Sequence, residues 1–467
     1  MLSVRERLKA SSTSSSNLAC LFSLLFGAGR LYKLGRRRCA AVKTLGDGLF
    51  FSMRPSEVIL LRGSMRSGIS ACAELTIAAV MAIGFGVSST PAFAQAHVAK
   101  ARSAESATRL EALQKKADEA RDAGRLDEAA ELYHRALIAN PKWTEGWWSL
   151  GTLKYDSDRY AEAEIAFEKV LALNPKHGTA RAMLGLCQFE LGQPDRALKN
   201  IQDSEKVGVL EDQQLRDVVL YHEGILLQRA GQFEAARNAL SSLCLGGLRS
   251  GELAGTFGMV ALRMRDIAPP EPNTQEGRVV QHVGRAACLG GAKEYDAAKA
   301  EYERVIAGAP HFPLVHYAYG RTLQDARDHD GAIREFEAEI AEQPESVLPR
   351  LRIAAAEYKW NPQDGLKFAE EAVKLQPELP LGHYLLGLLL LGTGEYQRAI
   401  PELETARKAF PQETKIDISL ANAYTQVGRT QDAARSRADF ARKKQAQNMA
   451  GEEAVEITDA MDARLKQ

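Results

Sequence analysis

Residues 144–177 read TEGWWSLGTLKYDSDRYAEAEIAFEKVLALNPKH. Gly151 is a small residue in the first half, and a second small residue, Ala163, follows twelve positions later. Phe167 stands four after Ala163, which puts a large apolar side chain on the same helix face as a small one. Pro175 then closes the run VLALNP. Proline has no N–H to donate and clashes with the preceding turn, so it ends one helix and lets the next begin. One such stretch describes two short helices, closely apposed at their small residues.

The pattern recurs in both directions. Pro141 and Pro175 are 34 residues apart, as are Pro310 and Pro344, and Pro377 and Pro411; Pro344 and Pro377 are 33 apart. The second small residue recurs as Ala129, Ala163, Ala197, Ala236, Ala298, Ala332, Ala399 and Ala433. Tyr133, Phe167, Ile201, Leu240, Tyr302, Phe336 and Leu403 supply the large residue four later. Ala117, Gly151, Gly185, Gly224, Ala286, Gly320, Gly387 and Ala421 precede the second small residue by twelve. Between the two helices lie turn signals at Gly124, Gly192, Gly231, Gly394 and Gly428. A repeat of this length indicates a stacked array rather than a sum of globular domains.

The sequence resembles the tetratricopeptide-repeat family, whose pattern is carried by Trp147, Leu150, Gly151, Ala163, Phe167 and Pro175. The resemblance implies an all-α fold, a right-handed superhelical solenoid of helix-turn-helix repeats. Nine units can be drawn: 110–143, 144–177, 178–211, 217–250, 279–312, 313–346, 347–379, 380–413 and 414–447. The third has Val209 in place of the proline, and the seventh is short, with Trp360-Asn361-Pro362 at its turn. Residues 251–278 do not fit. A single helix is expected over 252–265, and Pro269-Pro270-Glu271-Pro272-Asn273 is expected to block a partner helix. The chain therefore divides into a first block over 95–250, a half-repeat and Pro-rich loop over 251–278, a second block over 279–447, and a C-terminal capping helix or tail over 448–467.

The first 94 residues have another character. They carry twelve Lys or Arg and four Asp or Glu, which leaves the remainder of a neutral chain with 48 basic and 56 acidic residues. An acidic body excludes nucleic acid as a partner, because binding it needs a basic stripe. The apolar run 75–87, LTIAAVMAIGFGV, follows Arg66 and precedes Ala92-Phe93-Ala94. Together these read as a secretory signal peptide over 65–94, cut after Ala94. The alternative is an uncleaved inner-membrane anchor over 75–93, the one expected contact with a membrane. Residues 1–64 read as an unstructured or mis-annotated leader before a start at Met65. The expected location is the periplasm or outside the cell.

No catalytic signature is present: no HExxH, GxSxG, P-loop or GxGxxG after a strand. Neither an enzyme nor a cofactor is expected. His282, His316 and His383 hold equivalent places in three units, too far apart in a stack to share a metal. Three cysteines lie in the first 94 residues, and Cys187, Cys244 and Cys288 are scattered with no CxxC or CxxH pair. They read as small buried side chains rather than a disulfide framework or a zinc site.

What remains is binding. In this family the concave face of the first helices takes a protein or peptide partner. The places expected there hold Trp148, Tyr155, Phe189, Tyr221, Tyr317, Arg321, Tyr358 and Tyr384. Exposed aromatics anchor partners because they bury much area and lose little rotamer entropy. The family's carboxylate clamp is absent, with only Asn422 matching. The expected function is a non-catalytic interaction scaffold of the bacterial cell envelope; the alternative is a structural subunit of an envelope export or assembly machine.

Overall fold

The structure is a computed structural model that describes residues 108–207 and 212–450. The leader, the signal segment, Val209 and the tail beyond 450 lie outside the described residues. From Leu110 onward these residues belong to one compact unit. It is all-α. Nineteen helices are found among the described residues: α1 over 108–122, then α2 Leu126–Ala139, α3 Thr144–Asp156, α4 Tyr160–Leu173, α5 Gly178–Glu190, α6 Pro194–Val207, α7 Gln213–Arg229, α8 Phe233–Leu245 and α9 Gly251–Ala261. They continue with α10 Gln275–Gly291, α11 Tyr295–Gly308, α12 Val315–Asp325, α13 His329–Glu342, α14 Val347–Glu357, α15 Pro362–Leu375, α16 Pro380–Gly392, α17 Tyr396–Ala409, α18 Thr414–Gln426 and α19 Thr430–Ala450. Consecutive helices pack in pairs, and each pair packs on the next, which makes a solenoid of tetratricopeptide type.

Most repeats are closed by one or both of two local devices. Inside a pair, the first helix ends with a backbone bond from five residues on, such as Arg125 N–H to Ala120 O and Gln193 N–H to Gln188 O, both 2.9 Å. That geometry needs a left-handed residue, which Gly124, Gly192, Gly231, Gly394 and Gly428 supply without a Cβ penalty. Asp158, Lys293 and Arg327 take the same left-handed place in units that lack the glycine. Between pairs, the proline sits second in a turn: Trp143 N–H donates to Asn140 O at 3.2 Å and His177 N–H to Asn174 O at 3.1 Å.

Packing follows the small-large register. A Cβ on Gly151 would meet Phe167 at 2.8 Å, one on Gly320 would meet Phe336 at 2.6 Å, and one on Gly387 would meet Leu403 at 2.6 Å. Those large partners are fully buried, as are Tyr133, Ile201, Leu240 and Tyr302. Burying a side chain of this size contributes about 1.5–3 kcal/mol.

The segment after α8 departs from the repeat. The helix expected over 252–265 spans Gly251–Ala261, and the proline-rich stretch does not leave it without a partner: α9 packs along α10. Gly258 and Gly284 make this possible. A Cβ on either would strike backbone, at Val280 O and Ala254 O respectively. The core runs through the region, from Tyr221 in α7 to Ile353 in α14.

The cysteine expectation needs a correction. Cys244 in α8 and Cys288 in α10 form a disulfide, with Cα atoms 5.4 Å apart. Residues 44 apart in the chain meet because α8 and α10 pack side by side, a proximity that no local spacing encodes. Cys187 is a free, buried thiol, and burial pushes its pKa up to about 12.

Candidate binding site

Helix α8 is the second helix of the fourth unit, yet it reaches the first helices of the sixth and seventh. Glu234 lies on its first turn and Arg237 three residues on, spaced so that both face the same way. Arg321 of α12 donates its Nη2 to Glu234 at 2.6 Å, and Arg352 of α14 donates to the same carboxylate. Arg237 pairs with Asp325 at the end of α12. Burial works against the charge on Glu234. The guanidiniums of Arg321 and Arg352 overcome it and hold the carboxyl well below the usual carboxylate range. Arg352 also donates to the hydroxyl of Tyr317 at 3.2 Å.

These side chains line a recess of about 430 Å³, floored by Ala355 and Ala356 and flanked by Asn238 and Gln324. The volume is that of a small-ligand pocket, but the lining is polar, whereas pockets for apolar cofactors are mostly hydrophobic. Among the described residues, no three His, Cys, Asp or Glu side chains could hold a metal. His282, His316 and His383 each meet a glutamate 19 residues on: Glu301 at 2.7 Å, Glu335 at 2.7 Å and Glu402 at 2.5 Å. No helix among the described residues is long and apolar enough to cross a membrane.

The residues singled out from the sequence are placed as follows. Arg321 lines the recess, and Tyr317 lies just beneath it, buried with 2% exposure. Trp148 is half-buried, stacked on His177 with centroids 5.3 Å apart. Phe189 is half-buried and meets His222 with ring centroids 4.6 Å apart, and Tyr221 meets the same ring at 5.8 Å. Tyr358 is half-buried at the end of α14. Tyr155, Tyr221, Tyr317 and Tyr384 are buried, so the exposure expected of them is corrected: neighbouring helices cover these rings. Tyr221 shows how, its hydroxyl 3.0 Å from that of Thr256 on α9.

Sequence reasoning missed Glu234, Arg237, Asp325 and Arg352. Glu234 and Arg237 look like a solvated pair on a helix surface, and their partners are 87, 88 and 118 residues away. No local periodicity reports such a meeting.

Comparison with known proteins identifies the architecture. Sequence profiles described as tetratricopeptide repeat match residues 115–169, 154–203, 289–347 and 361–446. No curated protein matches the chain. Among solved structures, a MamA double mutant is 18% identical, over 38% of this chain and 99% of that one, with a TM-score of 0.35. A tetratricopeptide repeat protein from Parabacteroides merdae is 16% identical, over 60% and 98%, with a TM-score of 0.27. Yeast Tom70 is 12% identical, over 73% and 96%, with a TM-score of 0.22.

Proposed function

The chain belongs to the tetratricopeptide-repeat family, and from that premise we propose that it is a non-catalytic scaffold of the bacterial cell envelope that holds a protein or peptide partner. One observation carries the binding part of this reading. The solenoid brings side chains of the fourth, sixth and seventh repeats around an open recess that packing alone does not require. The half-buried aromatics Trp148, Phe189 and Tyr358 are further candidate contacts.

Export is supported by the Cys244–Cys288 bond together with the signal-like segment 65–94. Disulfides persist in oxidising compartments and are rare where glutathione keeps thiols reduced. Fractionation of the native host, followed by mass determination without reductant, tests the location. A periplasmic or secreted chain beginning at Gln95, with the bridge intact, is the expected result. A cytosolic chain beginning at Met1, with free thiols, overturns it. The scaffold itself is tested by crosslinking in intact cells: one recurrent partner in constant proportion is expected, and its absence from every fraction refutes the reading.

A further inference from the structure

A guanidinium carries five N–H donors. In the recess Arg321 uses three of them, two on Glu234 and one on Gln324. Arg352 uses two, on Tyr317 and Glu234, and Arg237 uses one, on Asp325. Among the described residues, fewer than half of the donors of these three arginines are therefore matched by protein acceptors. None of the spare nitrogens is sealed off. No nitrogen of Arg237, Arg321 or Arg352 is a buried atom without a partner among the described residues. Glu234 accepts on both of its oxygens already. The recess is thus rich in donors and short of acceptors, and it carries three positive charges against two negative ones.

A donor-rich fork of arginines selects a planar acceptor with two oxygens, which is a carboxylate. The space is larger than one such group, because 430 Å³ would hold roughly fourteen waters at about 30 Å³ each. It fits a carboxylate side chain with its flanking main chain, for which the exposed Asn238 amide on α8 offers both a donor and an acceptor. On α14, Arg352 and Ala356 are spaced i and i+4, and Trp360 follows in the turn after the helix, where its ring meets His329 of α13 with centroids 6.4 Å apart. Its indole is 79% exposed, unusual for so large an apolar group.

Resting on the scaffold reading above, we propose that the recess between α8, α12 and α14 docks an acidic segment of a partner polypeptide. An Asp or Glu carboxylate enters among Arg237, Arg321 and Arg352, and an apolar neighbour lies on Trp360. Asp325 occupies Arg237 until the partner arrives. Its side chain is 33% exposed, on the solvent side of the pair.

The test uses the full chain and random short peptides displayed on phage, with selected peptides resynthesised and titrated by fluorescence anisotropy. The expected peptides carry Asp or Glu beside an apolar residue. Replacing that acid by its amide should weaken binding at least roughly tenfold, the loss of a charge-assisted hydrogen bond. Arg237→Ala and Trp360→Ala should each weaken the same peptides with no change in helical content. Asp325→Asn should tighten them several-fold, an effect that a purely structural ion pair would not give. Selected peptides without acids, or peptides indifferent to all three substitutions, overturn the recess while leaving the scaffold reading intact. If no peptide is selected and no cellular partner crosslinks, both readings fall.

Discussion

Removing the Cys244–Cys288 bond tests the fold at the place where it departs from the repeat. The bridge closes a loop of 44 residues that contains α9, the proline-rich stretch and most of α10. In the chain-entropy picture, freeing a loop of that length returns about 13 cal/mol/K to the unfolded chain, or about 4 kcal/mol at 25 °C. Alanine is the right replacement. Cys244 is 0% and Cys288 4% exposed, so serine would add a buried hydroxyl and confuse the result. The double variant Cys244→Ala/Cys288→Ala should therefore lose about 4 kcal/mol in guanidinium titration, the small cavities left by the sulfurs adding slightly. The loss should be local, because each repeat touches chiefly its neighbours. Hydrogen exchange should quicken in α8 to α11 and remain slow in α16 to α18. A loss below about 1 kcal/mol would refute the reasoning, as would uniform exchange. An intact mass lacking the deficit of two hydrogen atoms would refute the bridge itself.

Other outcomes follow from the same packing. Gly151→Leu should cost about 1–3 kcal/mol by urea titration, since even a Cβ there would meet Phe167 at 2.8 Å; a variant as stable as the parent would show that the repeat register is misplaced. Tyr384→Ala should cost about 3–5 kcal/mol, because its ring is 3% exposed, and an unchanged melting temperature would return it to the surface. Lys293→Gly should be neutral or raise stability by up to about 1 kcal/mol, since Lys293 holds a left-handed φ of 65°; a clear loss in calorimetry would show that its side chain matters more than its backbone. Hydrogen bonds to Glu335 and Glu402 raise the pKa of His316 and His383. Each folded pKa lies above its unfolded value, so this stability is full below the unfolded histidine pKa of about 6.5 and is lost as pH rises through the folded values. His316→Gln/His383→Gln should flatten the alkaline decline in melting temperature, and an unchanged slope would contradict the assignment.

The sequence by itself determined the repeat. Gly151 and Phe167, Gly320 and Phe336, and Gly387 and Leu403 stand sixteen residues apart, and each pair meets across one helical hairpin. Contacts this local are written in the spacing, because a hairpin of fixed turn length can bring only certain residues together. The prolines between hairpins were equally legible, since their effect on the backbone needs no neighbour. Tertiary structure alone decided the rest. Whether an aromatic on a first helix faces solvent depends on the curvature of the stack, which covers Tyr317 and Tyr384 and leaves Trp148 half open. Curvature is the sum of small rotations between repeats, and no single repeat encodes it. The partnership of α9 with α10, the bond between Cys244 and Cys288, and the meeting of Glu234 with Arg321 and Arg352 all depend on it. These are contacts between residues far apart in the chain, and a periodic pattern repeats what is near.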